Sequence, residues 1–545
     1  MAEINGGGLI AKVLKQEGVD TLYGLCGGHI DPIFQGCVDE GIKVIGARHE
    51  QAAVFMAEGH AWMTGKPGVV AVTAGPGVMN AVTGLWTALG RGAPIVVFGG
   101  RSPVREFERG SLQDVDSLSV ARTVTKWARA GYHTNRIAEY VSMAFRQAAS
   151  GRPGPAYLEF PTDILFGRID DGDVPIPGNY RTAAGPQGDT GLVKEAVELL
   201  LGARNPLIIP GSGVWWSQAG DRLREFVELT NIPLARGNFP SGGQLGLPAD
   251  HPLHMGIKLK GNRSIGLENA DVVLLLGARL DWRLGYGGAG YGSENSKWIQ
   301  VDIEPTEIGR NRPIDVGITG DVGAVLEQML AEAGGRCEGR TEMPWINEIE
   351  EEVKTENATL ESLMANDAVP AHPDRLCKEI RDFVDKDAIL VIDGGHIVHR
   401  AVRSLKTDPP GQMLTFGATG TLGTGPSYAI AAKLARPGQQ VLLLSGDGSF
   451  GLNAMEFDTM VRHKIPVVCV VANDRCWAAI VHDQMRSGNN RLIETQLGDV
   501  AYHKIVEDLG GYGEEVHNPE DIGPALKRAF ASGLPACINV WCAFV

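Results

Sequence analysis

The sequence predicts an α/β protein built from three doubly wound parallel-sheet domains. Three observations carry that prediction. Short apolar runs rich in Val, Ile and Leu recur along the chain without strict alternation, as strands buried on both faces of a sheet do. Amphipathic stretches separate them, giving the βαβα order of parallel sheets. Glycine, at 72 of 545 residues, is about twice as frequent as usual and clusters between the apolar runs.

The elements follow in order. Strands are expected at Val69–Thr73, Ile95–Phe98, Pro206–Ile209, Val272–Leu276, Trp298–Val301, Ala388–Ile392, Val441–Leu444 and Pro466–Val471. Helices are expected at Gly191–Leu201, Asp221–Leu229 and Val322–Ala333. Two polar stretches, Asp170–Thr190 and Gly334–Pro373, read as linkers. They divide the chain into domains at 1–180, 190–335 and 365–545, each of ordinary size. No short-period repeat is present.

Composition narrows the function. A net charge of −15 argues against nucleic acid or an anionic membrane as the main partner, since both demand a basic face. The eight cysteines form no CxxC pair and no zinc-binding spacing. No apolar run reaches the ~18 residues of a membrane span, and Met1–Gly8 has no signal-peptide pattern. A small-molecule enzyme of the cytoplasm is the expectation.

The strongest chemical signal is Ser445-Gly446-Asp447-Gly448-Ser449, directly after the apolar run Val441–Leu444. A strand, a glycine turn and a helix start leave backbone N–H groups free to face a diphosphate. Asn473 ends the next apolar run. Asp447 and Asn473 can converge on a hard divalent cation such as Mg²⁺. A glycine turn with a capping Asp gives the same Gly-Asp-Gly, and the Asn at this spacing favours the metal.

Gly-Asp-Gly followed at this distance by Asn resembles the signature of the thiamine-diphosphate (ThDP) enzymes of the decarboxylase and acetolactate-synthase superfamily. The resemblance implies that Asp447, Asn473 and the carbonyl of Arg475 bind Mg²⁺, and that Gly446, Gly448 and Ser449 face the diphosphate. The family pattern usually has Asn-Asn and a final Gly, where this chain has Ala472-Asn473 and Arg475. Arg48-His49-Glu50 resembles the segment holding the cofactor-activating Glu, with Thr73-Ala74-Gly75-Pro76-Gly77 downstream as in the family. Glu50 is thereby implied to hydrogen-bond the cofactor's pyrimidine. Thr419-Gly420-Thr421-Leu422 resembles the segment that contacts the aminopyrimidine, with Gly420 in the turn and Leu422 as its apolar support. The superfamily also implies a homodimer whose active site lies between subunits, commonly assembled as a tetramer.

Two branches compete. Gly27-Gly28-His29-Ile30-Asp31, Gln113, Thr125-Lys126-Trp127, Glu456-Phe457-Asp458 and Ala536–Val540 resemble benzaldehyde lyase, implying polar active-site roles for His29 and Gln113. Gly277–Trp282 and Gln300–Pro305 resemble oxalyl-CoA decarboxylase and 2-hydroxyacyl-CoA lyase, implying a coenzyme A or ADP site at Arg279 and Asp302. A guanidinium after a buried strand can pair with phosphate, and a carboxylate at the next strand end can meet a ribose. Gly211 and Gly213 let backbone approach a nucleotide closely. A vestigial nucleotide fold would leave these residues merely capping strands. The Tyr-Glu pair of oxalyl-CoA decarboxylase has no counterpart in Gln113-Asp114-Val115-Asp116, so 2-hydroxyacyl-CoA lyase is the expected branch. It implies cleavage to formyl-CoA and an aldehyde or ketone. Benzaldehyde-lyase-type and acetolactate-synthase-like carboligation are the alternatives. His29 and Glu494 are candidates for proton transfer, and Trp477, Trp127, Phe416 and Leu492 for lining the substrate pocket.

Overall fold

The computed structural model describes all residues except 1–2, 236–245, 249, 256–265, 289, 292, 294, 338–342, 406, 408–410 and 489–490. Three six-stranded sheets organise the described residues, and every strand pairing within them is parallel.

The first sheet runs in spatial order Lys43–Gly46, Thr21–Gly24, Gly68–Val72, Ile95–Arg101, Pro155–Pro161, Trp127–Ala130. The last runs Met413–Thr415, Ile389–Asp393, Val441–Gly446, Val468–Asn473, Ala536–Trp541, Tyr512–Val516. Counted along the chain, both have the order second, first, third, fourth, sixth, fifth. The middle sheet differs: His254–Met255, Leu234–Ala235, Pro206–Pro210, Val272–Leu276, Lys297–Asp302, Val316–Thr319. That is the 3-2-1-4-5-6 order of a dinucleotide-binding fold, whose crevice opens where the order reverses.

Consecutive strand residues feed opposite cores, which is why the apolar runs do not alternate. Leu442 and Leu444 face one core and Leu443 the other. Leu274 and Val273 divide in the same way in the middle sheet. One core is shared by the outer domains: Tyr23, Val70 and Val97 pack with Val391, Leu443 and Val471 through the helices Glu50–Thr64 and Gly425–Ala435. The helix Glu50–Thr64 is therefore buried nearly all round. Its Gly59 lets the second helix approach, since an added Cβ would lie 3.0 Å from Ala431 Cβ.

The expected strands and helices lie at their expected places to within a few residues. The stretch Gly334–Pro373 is not a plain linker. Most of it is the 21-residue helix Pro344–Met364, which buries Trp345, Ile349, Leu360 and Met364 and turns its glutamates to solvent. The acidic run that marked a linker is the wet face of an amphipathic helix. The other stretch begins at the end of a short strand, Arg168–Asp170, which pairs antiparallel with Glu3–Asn5.

Candidate functional site

The third domain builds an anion corner. The strand Val441–Gly446 runs straight into the helix Asp447–Asn453. A cavity of about 110 Å³ opens there, lined by Gly394, His396, Leu422, Gly446, Asp447 and Trp477 among others. Gly448 and Ser449 line it too. The Trp477 ring sits on Gly448, where a Cβ would lie 2.6 Å from it. Burial, and then the neighbouring Asp474, push the Asp447 carboxyl up to about 7. Its Oδ1 accepts the Gly448 N–H at 2.8 Å, and its Oδ2 is buried without a partner. A buried orphan carboxylate oxygen is costly and calls for a cation.

Asn473, fully buried, is held by donating to the Val500 carbonyl and to Asn539 Oδ1. Its own Oδ1 accepts the Arg475 N–H at 3.2 Å. Arg475 has φ +62°, the left-handed conformation that explains the family's preference for glycine there. Its carbonyl accepts the Leu497 N–H at 2.7 Å and keeps one lone pair. Among the described residues no group of three His, Cys, Asp or Glu side chains could hold a metal. One carboxylate, one amide and one carbonyl fit Mg²⁺, which takes few protein ligands and completes its shell with phosphate and water.

Asp393 ties this half-site together, and no motif pointed to it. Fully buried, it accepts from the Gly423 N–H, the Gly425 N–H and the Ser449 hydroxyl at 3.2, 2.8 and 2.7 Å. It thus joins the loop carrying Leu422 to the helix carrying Asp447. Gly420 has φ +65° and open space where a Cβ would be.

The first domain builds a second half-site. Glu50 starts the helix Glu50–Thr64 and is only 6 % exposed. Asn80 donates to its Oε2 at 3.0 Å. Gly77 faces its Oε1, and a Cβ there would also lie 2.8 Å from Thr73 Cγ2. Thr73 Oγ1 in turn lies 3.4 Å from His29 Nδ1. Burial lowers the His29 pKa, opposed by a hydrogen bond to the Leu112 backbone. Gln113, with φ +61°, packs on Gly75. Glu50, His29 and Gln113 are therefore neighbours, joined through Thr73, Gly75 and Gly77 of the quoted motif, with Asn80, which no motif included, holding Glu50.

Among the described residues, Glu50, His29 and Gln113 do not line the cavity at Asp447, nor does any other from the first domain. Glu494 does not line it either. It is exposed, with φ +52°, beside Thr495, whose carbonyl accepts the Trp477 N–H. Phe416 and Trp127 pack into domain cores, while Leu492 is 42 % exposed.

A larger cavity, about 280 Å³, lies at the middle sheet's switch point. Arg279, Asp302 and Gly213 line it as the sequence suggested, together with Arg152, Arg181 and Asp321. Burial lowers the Arg279 pKa to about 10 and raises that of Asp302 to about 6. Gly211 is not in its lining, and an added Cβ there would strike the Gly277 carbonyl. Its role is backbone packing. Trp477 belongs to the cavity at Asp447, not to this one.

Three family models match the chain: the thiamine pyrophosphate enzyme N-terminal TPP binding domain at 4–120, its central domain at 193–329 and its C-terminal TPP binding domain at 393–540. A protein named "Probable acetolactate synthase" from Mycobacterium bovis is 37 % identical over 98 % of this chain and 95 % of its own. "2-hydroxyacyl-CoA lyase 2" of Homo sapiens is 34 % identical over 98 % and 90 %. "2-hydroxyacyl-CoA lyase" of Arabidopsis thaliana is 31 % identical over 98 % and 95 %. With a diphosphate corner, a buried glutamate half-site and matches that span all three domains, the chain belongs to the thiamine pyrophosphate enzyme family.

Proposed function

We propose that this ThDP enzyme is a carbon–carbon lyase that cleaves 2-hydroxyacyl-CoA thioesters to formyl-CoA and an aldehyde or ketone, and catalyses the reverse condensation. One observation carries the step beyond the family: the switch-point cavity rimmed by Arg152, Arg181 and Arg279 with Asp302 at a strand end. Guanidinium groups suit phosphates, and the carboxylate suits a ribose hydroxyl. Relatives named as 2-hydroxyacyl-CoA lyases support the reading.

When bound, thiamine diphosphate supplies the carbon nucleophile and the electron sink for bond cleavage. Asp447, Asn473 and the Arg475 carbonyl would hold Mg²⁺ against the diphosphate. Glu50, oriented by Asn80, would hold the pyrimidine and exchange a proton with it. His29 would take the proton from the substrate's C2 hydroxyl. Its lowered pKa keeps the imidazole neutral, and so able to accept, at pH 7. Gln113 would orient the substrate oxygen. We assign no step to Glu494.

The working unit in this reading is at least a homodimer, commonly a tetramer in such enzymes, with Glu50 of one subunit facing Asp447 of another. The single chain supports this by exposing Leu112, Trp86 and Leu452.

A second reading, an acetolactate-synthase-like carboligase, is favoured by the 37 % identity to the mycobacterial protein. Mass spectrometry distinguishes the two. The enzyme with ThDP and Mg²⁺ is offered 2-hydroxyisobutyryl-CoA, 2-hydroxyphenylacetyl-CoA, benzoin and pyruvate separately. Formyl-CoA from a thioester is the expected product. Acetolactate from pyruvate, or benzaldehyde from benzoin, without formyl-CoA would contradict the proposal.

A further inference from the structure

A buried ion pair that the chemistry above does not use lies between the outer domains. Arg91 is the last residue of the helix Pro76–Arg91, and its side chain is 1 % exposed. Its Nη1 lies 3.0 Å from Oε1 of Glu58, which is fully buried on the helix Glu50–Thr64. The same Nη1 donates to the Tyr428 hydroxyl at 2.5 Å. The guanidinium also sits 4.9 Å from the Trp62 ring centre and 5.2 Å from that of Tyr428.

Such a pair is a poor source of stability, because desolvating two charges offsets most of their attraction. What surrounds it points to another use. Gly417, at φ +67°, turns the chain directly over the guanidinium; a Cβ there would lie 2.7 Å from Arg91 Nε. Two residues on, Thr419 faces Gly90, which has no side chain to obstruct it. Two further on, Thr421 Oγ1 lies 2.9 Å from Thr87 Oγ1. The last turn of one first-domain helix thus grips three successive alternate residues of loop 417–422. The first turns of the same helix carry Gly77 and Asn80 against Glu50.

We infer that Arg91, fixed by Glu58 and Tyr428, is a positioning residue that sets loop 417–422, and through it Gly420 and Leu422, for the cofactor. This rests on reading Gly420 and Leu422 as cofactor contacts. Arg91 touches neither cofactor nor substrate; it acts through Gly417.

The test uses the full-length apoenzyme with Mg²⁺, titrated with ThDP while following tryptophan fluorescence, since Trp477 lines the cofactor cavity. The Glu58→Gln/Arg91→Met double variant removes both buried charges together, which spares the fold the cost of an orphan ion. It is expected to melt near wild type and to need at least about tenfold more ThDP for half-saturation, with the thioester KM nearly unchanged. Tyr428→Phe, which deletes one hydroxyl, is expected to weaken ThDP by roughly two- to fivefold. Wild-type ThDP affinity in the folded double variant would overturn the inference. So would unfolding of every variant, Tyr428→Phe included, because the pair would then serve stability alone. Leu422→Ala is the control for the underlying reading: unchanged ThDP affinity there would remove the loop, rather than Arg91, from the cofactor's surroundings.

Discussion

At the residue scale, four side chains carry distinct predictions. Glu50→Gln keeps the shape and the Asn80 hydrogen bond but cannot exchange a proton. It should bind ThDP and lose about 10²–10⁴-fold in turnover, read by steady-state kinetics beside the fluorescence titration. Asp447→Asn should fail earlier, retaining neither Mg²⁺ nor ThDP through gel filtration, because the orphan Oδ2 is the charge that calls for the cation. Glu494→Gln should leave cleavage unchanged, since the side chain is exposed and does not line the cavity at Asp447; a loss of tenfold or more would restore it as a proton-transfer group. Arg475→Gly should raise the melting temperature slightly, relieving a left-handed residue by about 1 kcal/mol. Asp447, Asn473 and Glu50 stand out in the sequence because the chemistry proposed for them needs fixed neighbours: glycines, a strand end, a helix start. Asp393 and Asn80 do not. Each acts through a partner far away in sequence, such as Ser449 for Asp393, and no local pattern records that distance.

At the element scale, the strands were legible because burial on both faces leaves an unbroken apolar run, and the helices between them because one stripe faces the sheet. The helix Pro344–Met364 was hidden by its acid content, since its four buried residues are widely spaced among charges. The helix Glu50–Thr64 also has a contact no periodicity shows. Glu456, from the third domain, accepts the Arg48 N–H at 3.0 Å just before that helix begins. Burial pushes the Glu456 carboxyl up to about 7, against hydrogen bonds from Thr459 and the Arg48 backbone. The folded state therefore binds this proton more tightly than the unfolded chain, whose Glu titrates near ~4.3. The stability Glu456 contributes is complete below that value and is lost as pH rises through about 7. Glu456→Gln, neutral throughout, should gain on wild type by about 1–3 kcal/mol between pH 4.5 and 7.5 in denaturant unfolding. A constant difference across that range would contradict the burial argument.

At the scale of the whole molecule, the chain carries the buried Glu50 in its first domain and the Asp447 cavity in its third. The outer domains share one core through Glu50–Thr64 and Gly425–Ala435, which fixes the helix that Glu50 begins against the third domain. The middle domain uses a different strand order and presents its arginine-rimmed cavity at the reversal point. Sequence motifs showed that three such domains exist. The relative placement of the half-sites depends on helix faces such as Gly59 against Ala431, which carry no chemical signature. The proposed shared site requires Glu50 of one chain to meet Asp447 of another.

The most direct measurement is complementation. Glu50→Gln and Asp447→Asn chains, each inactive alone, are co-expressed with different affinity tags, and the mixed assembly is isolated and assayed. In a mixed dimer one site holds both changes and the other holds neither. The account predicts recovery of about half the wild-type activity per mixed dimer, a consequence of two-fold symmetry with sites shared between chains. Mixed dimers as inactive as the parents would place Glu50 and Asp447 of one chain in the same site and contradict it.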